Sequence, residues 1–249
     1  MTAPAPRLFW TPTEDGHDGP AVACFGYAYG PKGHYFDERA HGFNPALTAA
    51  VAEANSRGAL PAFLAELSGV FGGWCLAGGR LEVFSDQLGF RPIYVYEAGG
   101  RVGVAPRQAP IKAEVALTLD GALLPFYLAH GHFPGSLTAF AELHQVWGGN
   151  VYARTRTGGW SERAYVDWGF AGADAALAPD VVLGGAIERL RHGVGLALAN
   201  APRLALPLSG GLDSRMLAFA IPEPLRAGVL AVNYGDPTSS DARYARAVA

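Results

Sequence analysis

Charge is scarce in this chain. Of its 249 residues only 16% are Asp, Glu, Lys or Arg, and the formal net charge is −3. That balance supplies no basic face for a nucleic acid. Cysteine is scarcer still, with Cys24 and Cys75 as its two instances. Two thiols in apolar runs do not make a disulfide framework and are predicted to be buried and unpaired. No apolar run reaches the about 18 residues that a membrane span needs. The opening Met1-Thr2-Ala3-Pro4-Ala5-Pro6 is polar and proline-broken, unlike a secretory signal. These absences predict a cytoplasmic protein with neither a membrane nor a nucleic-acid partner. No internal repeat is visible. Half of the residues are hydrophobic, enough to give one large or two ordinary domains a real core.

Hydrophobic periodicity and glycine pairs divide the chain. Short strands are expected at 8–10 and 21–29, the second ended by Gly30-Pro31. Asn44-Pro45 opens a helix as cap and first-turn proline, and Arg57-Gly58 closes it. A short helix at 60–67 precedes strands at 70–76 and 81–85 around Gly78-Gly79. Further strands at 93–97 and 102–105 flank Gly99-Gly100, in the pattern of tight hairpins. A helix over 120–130 would carry Leu123, Leu124, Tyr127 and Leu128 on one side. Strands at 150–155 and 160–166 flank Gly158-Gly159. Residues 169–180, rich in Gly, Ala, Asp and Pro, read as a linker. They separate a domain at 1–168 from one at 181–249. A long helix over 180–200 would carry Val181, Ile187, Leu190, Val194 and Leu198 on its apolar side. A strand at 228–232 and a helix from Ser240 close the chain.

One stretch carries chemistry. Leu204, Leu206 and Leu208 alternate as a strand, Ser209-Gly210-Gly211 must turn, and Met216, Leu217 and Phe219 follow at helical spacing. A strand, a glycine turn and a helix start form an anion cradle, because turn amides and the positive end of the helix dipole converge. Glycine would supply positive φ and let a phosphate approach the backbone. Ser209 and Ser214 add hydroxyls. Asp213 places a carboxylate where a phosphate would sit, which requires a cation between them, and Mg²⁺ is the expected one. No Gly-Lys-Ser/Thr follows, so this is not a Walker A loop.

Ser209-Gly210-Gly211-Leu212-Asp213-Ser214 resembles the pyrophosphate loop of the ATP pyrophosphatase superfamily. Leu67 to Trp74, Phe84 to Tyr94 with its Asp86-Gln87-Leu88-Gly89-Phe90-Arg91-Pro92 core, His132 to Phe140, and Asn233 to Pro237 with Ser240-Asp241 are similar, in order, to segments of the glutamine-dependent asparagine synthetases. The resemblance covers about residues 60–249. It implies an α+β N-terminal-nucleophile-like αββα sandwich of the glutamine-amidotransferase type, followed by an incomplete α/β PP-loop domain. It implies ATP and Mg²⁺, with Ser209, Gly210, Gly211, Leu212, Asp213, Ser214 and Tyr234 at the nucleotide and Asp213 on the metal. It also implies adenylation of a carboxylate, with pyrophosphate and then AMP released as an amide forms.

Three departures shape the expectation. The family's glutaminase needs an N-terminal cysteine. Here Thr2 follows Met1, Cys24 is internal, and the family's glutamine-carboxylate arginine and N-G-E segment have no counterpart. Asp86 alone matches a glutamine-site position, and its other reading is a loop anchor, so no glutaminase activity is expected. Pro207 and Arg215 resemble the lasso-peptide macrocyclase branch, in which a precursor peptide supplies both carboxylate and amine. The chain also ends at Ala249, before the family's later acidic Mg²⁺ loop. It is therefore expected to be a fragment, a truncated product or half of a split enzyme completed by a second polypeptide, and inactive alone. The competing readings are a glutamine-hydrolysing asparagine synthetase and a non-catalytic scaffold or peptide-binding remnant.

The remaining polar residues attract bland readings. His130 and His132 lack a third ligand nearby. His34 and His41 read as solvated, Asp15 and Asp18 as turn residues, and Asp241 and Arg243 as surface charges. Tyr234 is either a buried sheet aromatic or, by resemblance, beside the adenine.

Overall fold

The computed structural model describes residues 7–13, 16–37, 43–169, 177–200 and 203–249. The chain divides into two compact units, Met1–Trp168 and Gly169–Ala249.

The first unit is built on two antiparallel sheets. Its strands are β1 (Leu8–Trp10), β2 (His17–Asp18), β3 (Val22–Tyr29), β4 (Tyr35–Phe36), β5 (Ser68–Ala77), β6 (Arg80–Ser85), β7 (Tyr94–Ala98), β8 (Arg101–Ala105), β9 (Leu143–Gln145), β10 (Asn150–Thr155) and β11 (Trp160–Ala164). One sheet runs β2-β1-β8-β7-β9 and the other β11-β10-β6-β5-β3-β4. The glycine pairs do what their spacing predicts. Gly78 and Gly79 join β5 to β6 with φ of 56° and 71°, and Gly99 and Gly100 join β7 to β8 with φ of 59° and 74°. Two successive positive φ values give the hairpin its matching twist, and only glycine adopts them without strain.

Alternation along the strands then sorts side chains into layers. Leu8, Trp10, Val95, Val102 and Val104 of one sheet pack against Ala23, Phe25, Trp74, Leu81 and Val83 of the other. The opposite face of the second sheet presents Cys24, Phe71, Cys75, Phe84 and Val151 to Leu47, Val51, Leu60 and Leu64. Those four lie on helices α1 (Pro45–Ser56) and α2 (Leu60–Ala65). The outer face of the first sheet meets Ile111 of α3 (Gln108–Lys112) through Phe9, Tyr96 and Leu143. The layer order is helix, sheet, sheet, helix, with the last layer thin. Asn44 locks the start of α1. Its side chain accepts from the Leu47 amide at 2.9 Å and donates to the carbonyls of Gly26 and Phe36 at 2.8 and 3.1 Å.

Several expectations shift. β2, β4, β9 and α3 span two to five residues, too few to show a period. The helix expected over 120–130 is α4 (Leu124–His130), and it begins after a turn in which Asp120 accepts from the Ala122 amide at 3.0 Å. Its expected apolar side is open, with Leu128 83% exposed. Asp18 lies in β2 and pairs with Arg7 at 3.2 Å rather than sitting in a turn. Asp15 and His41 lie outside the described residues.

The second unit contains α5 (Pro179–Asn200), β12 (Leu204–Pro207), α6 (Leu212–Ala220), α7 (Glu223–Arg226), β13 (Val229–Val232) and α8 (Ser240–Val248). β12 and β13 pair in parallel, Leu204 opposite Val229 through Pro207 opposite Val232. The intervening α6 and α7 make this a β-α-β crossover. Burial is sparse. Leu208, Ala220, Ile221, Ala242 and Ala245 are enclosed, whereas α5 buries none of its 22 residues. On the expected apolar side of α5, Val181 and Ile187 are exposed and Leu190, Val194 and Leu198 are half-buried. Among the described residues, no helix is long and apolar enough to cross a membrane.

Candidate functional site

The segment between β12 and α6 is held by its own side chains. Pro207 ends the ladder to β13, and the Leu208 amide still donates to the Val232 carbonyl at 2.8 Å. The Ser209 amide donates to the Ser214 hydroxyl at 3.0 Å, and the two hydroxyls lie 2.9 Å apart. The Gly211 amide donates to the Ser209 hydroxyl at 3.1 Å. The Gly210 amide donates to an Asp241 carboxylate oxygen at 2.5 Å. Ser209 and Ser214 thus tie the turn together, and the amides of residues 209–211 are occupied from within the chain. The expectation of free turn amides at those positions is corrected: two side-chain hydroxyls and one carboxylate satisfy them, the half-buried Ser209 and Gly210 amides and the exposed Gly211 amide alike.

The glycines also act differently from expectation. Neither Gly210 nor Gly211 has a positive φ, and Gly211 caps α6 with φ of −69°. A Cβ at Gly210 would lie 2.9 Å from an Asp241 carboxylate oxygen, 3.2 Å from Asp241 Cα and 3.3 Å from the Tyr244 ring. Glycine here admits the first turn of α8.

Beyond Gly211 the geometry opens. No side chain caps α6, so its first amides point outward at the positive end of the helix dipole. Leu212 is 64% exposed, and the Asp213 carboxylate stands exposed in the first turn. Tyr234, two residues past β13, is 77% exposed, which rules out the buried-aromatic reading. β12 and β13 run parallel, so residues 209–214 and Tyr234 both leave from the C-terminal ends of their strands. In open α/β sheets that is where ligands bind.

Asp241 is the residue that the sequence reading missed. It joins the loop rather than lying free on the surface. One oxygen holds the Gly210 amide, and the other accepts from Asn233 Nδ2 at 3.2 Å. Asn233 Nδ2 also donates to the Leu208 carbonyl at 2.8 Å. A carboxylate at the start of α8, beside an asparagine ending a strand, was the available signal. It looks the same in sequence as a charge that favours a helix N-terminus.

In the first unit, Asp86 is 1% exposed. Its carboxylate accepts from the amides of Leu88, Phe90 and Arg91 at 3.0, 3.1 and 2.7 Å. Its carbonyl accepts from Gly89 and Gly149 at 3.1 and 2.9 Å. The loop-anchor reading therefore accounts for both of its oxygens. Burial, with the neighbouring Asp86 charge, pushes the Tyr165 phenol up, and its hydroxyl donates to the Ser85 carbonyl.

The thiols are inert by position. Both are free and buried. Burial pushes Cys24 far above the ordinary thiol range and Cys75 up to about 11. His130 and His132 each place Nδ1 3.0 Å from a backbone carbonyl, of Phe126 and His130 respectively. Among the described residues, no group of three His, Cys, Asp or Glu side chains is arranged for a metal ion. Thr2 lies outside the described residues. Two cavities of about 480 Å³ in the first unit contain none of the predicted site residues.

No family model and no curated protein matches the chain. Among solved structures, it is similar to a glutamine phosphoribosylpyrophosphate amidotransferase from B. subtilis complexed with ADP and GMP. That match has 12% identity and a TM-score of 0.35, over 91% of this chain and 47% of the other. It is also similar to an allosteric regulatory enzyme of purine biosynthesis, at 12% identity and a TM-score of 0.33, over 80% of this chain and 42% of the other. The chain thus spans less than half the length of either protein. At these values the fold rests on the strand order and layers described above.

Proposed function

We propose that the chain is part of an ATP-dependent ligase of the asparagine synthetase type, closer to peptide macrocyclases than to glutamine-hydrolysing enzymes. The supporting observation is the pair of parallel strands whose C-terminal ends bring the uncapped start of α6 and the exposed Tyr234 to one side. In this reading the first amides of α6 and the hydroxyls of Ser209 and Ser214 face the β and γ phosphates. Asp213 is an exposed hard oxygen ligand suited to Mg²⁺, and Tyr234 flanks the base. The ion would neutralise phosphate charge beside the carboxylate. Donors fixed on the leaving pyrophosphate are the usual source of rate in such displacements.

The first unit, in this proposal, is an N-terminal-nucleophile-like amidotransferase shell that has lost glutamine hydrolysis. Two antiparallel sheets between helical layers support the shell. The inert thiols and the Asp86 carboxylate already committed to loop amides support the loss. The substrate would be a carboxylate, as in a precursor peptide. Further strands, from a second polypeptide or from more of this one, would extend the β12–β13 pair, since two parallel strands with exposed Leu230 do not close a core.

A pyrophosphate-exchange assay with MgATP and candidate peptide carboxylates tests this reading, with and without any polypeptide encoded beside this one. Exchange in some mixture is expected. Its absence in all mixtures favours the second reading, a non-catalytic scaffold, for which the internally occupied amides of residues 209–211 already speak. Ammonia released from glutamine, and lost on Thr2→Ala, would restore the glutamine-hydrolysing alternative.

A further inference from the structure

Asp241 does something that an ordinary helix-capping acid does not: it seats a carboxylate oxygen on an amide of the phosphate loop. The Gly210 amide donates to this oxygen, and an ionised acceptor makes such a bond charge-assisted. Asn233 holds the second oxygen and also ties down the Leu208 carbonyl. The end of β12, the end of β13 and the start of α8 therefore meet at one anionic group. The bare Gly210 backbone, with no room for a Cβ, lets it come this close.

We propose that Asp241 is an internal anion that occupies the Gly210 position of the loop, so that a phosphate ligand engages that amide only by displacing it. The inference rests on the nucleotide-loop reading above. An amide N–H directs one strong bond, and a phosphate oxygen and a carboxylate oxygen compete for it. If the carboxylate stays, it lies within a few ångströms of the incoming phosphate. Like charges at that range weaken binding by about tenfold or more. Asp241 thereby sets the affinity of the loop. Movement of α8, which carries it, would open or close the Gly210 amide.

The test is calorimetric titration of the full chain with inorganic pyrophosphate in the presence of Mg²⁺, comparing wild type, Asp241→Asn and Asp236→Asn. Asp236 is an exposed control: its carboxylate oxygen bonds within its own turn to the Thr238 amide and hydroxyl at 2.8 and 2.7 Å. Asp241→Asn keeps an oxygen for the amide but removes the charge, and should bind about tenfold tighter than wild type. Asp236→Asn should match wild type. Wild-type binding with Asp241→Asn equal or weaker would overturn the internal-anion proposal and leave the loop reading standing. No binding by any of the three would sink both. Should Asp241→Asn fail to fold, the wild-type amide resonance of Gly210 decides. It should start far downfield and move as pyrophosphate is added. Saturable binding that leaves it unmoved would overturn the proposal.

Discussion

The two units solve the problem of stability differently. In Met1–Trp168 the largest fully buried side chains, Trp74, Phe9, Phe25, Phe71 and Phe84 among them, fill the space between sheets and helices. In Gly169–Ala249 the enclosed residues among those described are Leu208, Ile221 and three alanines, and apolar side chains such as Leu183, Phe219 and Leu230 stand exposed. The unit with the closed core holds inert thiols and a carboxylate spent on structure. The unit with the open core holds the candidate phosphate loop, kept in shape by short polar bonds. A loop held by a few hydrogen bonds can exchange them for a ligand.

The largest expected effect that sharpens this contrast is Trp74→Ala. It removes a fully buried indole whose Nε1 donates to the Pro20 carbonyl at 2.9 Å. It should lower the stability of the first unit by about 3–5 kcal/mol in denaturant unfolding. Asp86→Ala should follow at about 3 kcal/mol, because it strands the amides of Leu88, Phe90 and Arg91. If Asp86→Ala melts like wild type, Asp86 is not the anchor of its loop.

A pH scan separates the units by a different property. The folded-state pKa of Cys75 is raised from 9.0 to about 11, with burial the main cause and the Glu82 charge adding to it. The folded state therefore holds its proton more tightly than the unfolded one. This contribution is complete below about pH 9 and is lost as pH rises through the interval to about 11. The buried Cys24, shifted in the same direction, extends the loss upward. Melting followed at the first unit's tryptophans should fall across that interval, while a thiol reagent at pH 8 should label neither cysteine until unfolding. Rapid labelling of the native chain at pH 8 would contradict the burial.

The smallest effect belongs to the open unit. Ser239→Ala removes the cap whose hydroxyl accepts from the Ala242 amide at 3.1 Å. It should cost about 1 kcal/mol, read from the melting of α8 by circular dichroism. A loss as large as that of Trp74→Ala would mean that the second unit is as cooperative as the first.

Much of the first unit was legible because its signals are local and redundant. Gly78-Gly79 and Gly99-Gly100 marked hairpins, Asn44-Pro45 marked a helix start, and alternation marked β3, β5 and β6. The short β9 and α3 were not legible, since three or five residues define no period. The apolar stripes of α4 and α5 are legible in the sequence, yet neither helix buries a residue, because amphipathicity states what a helix could bury and not whether a partner is present. At the candidate site, the strand, turn and helix around 209–214 were readable. The carboxylate that fills it was not.

The sequence by itself determined the longer strands and helices, the hairpin turns, the caps of α1 and the position of the strand, glycine turn and helix around 209–214. Each of these depends on residues a few places apart, where chain geometry leaves few alternatives. Tertiary structure alone decided that two sheets would face each other, that Asp86 would be spent on a loop, and that Asp241 would reach Gly210 across 31 positions of chain. Contacts between distant segments are set by how buried surfaces fit together, and no local pattern of residue types records that fit.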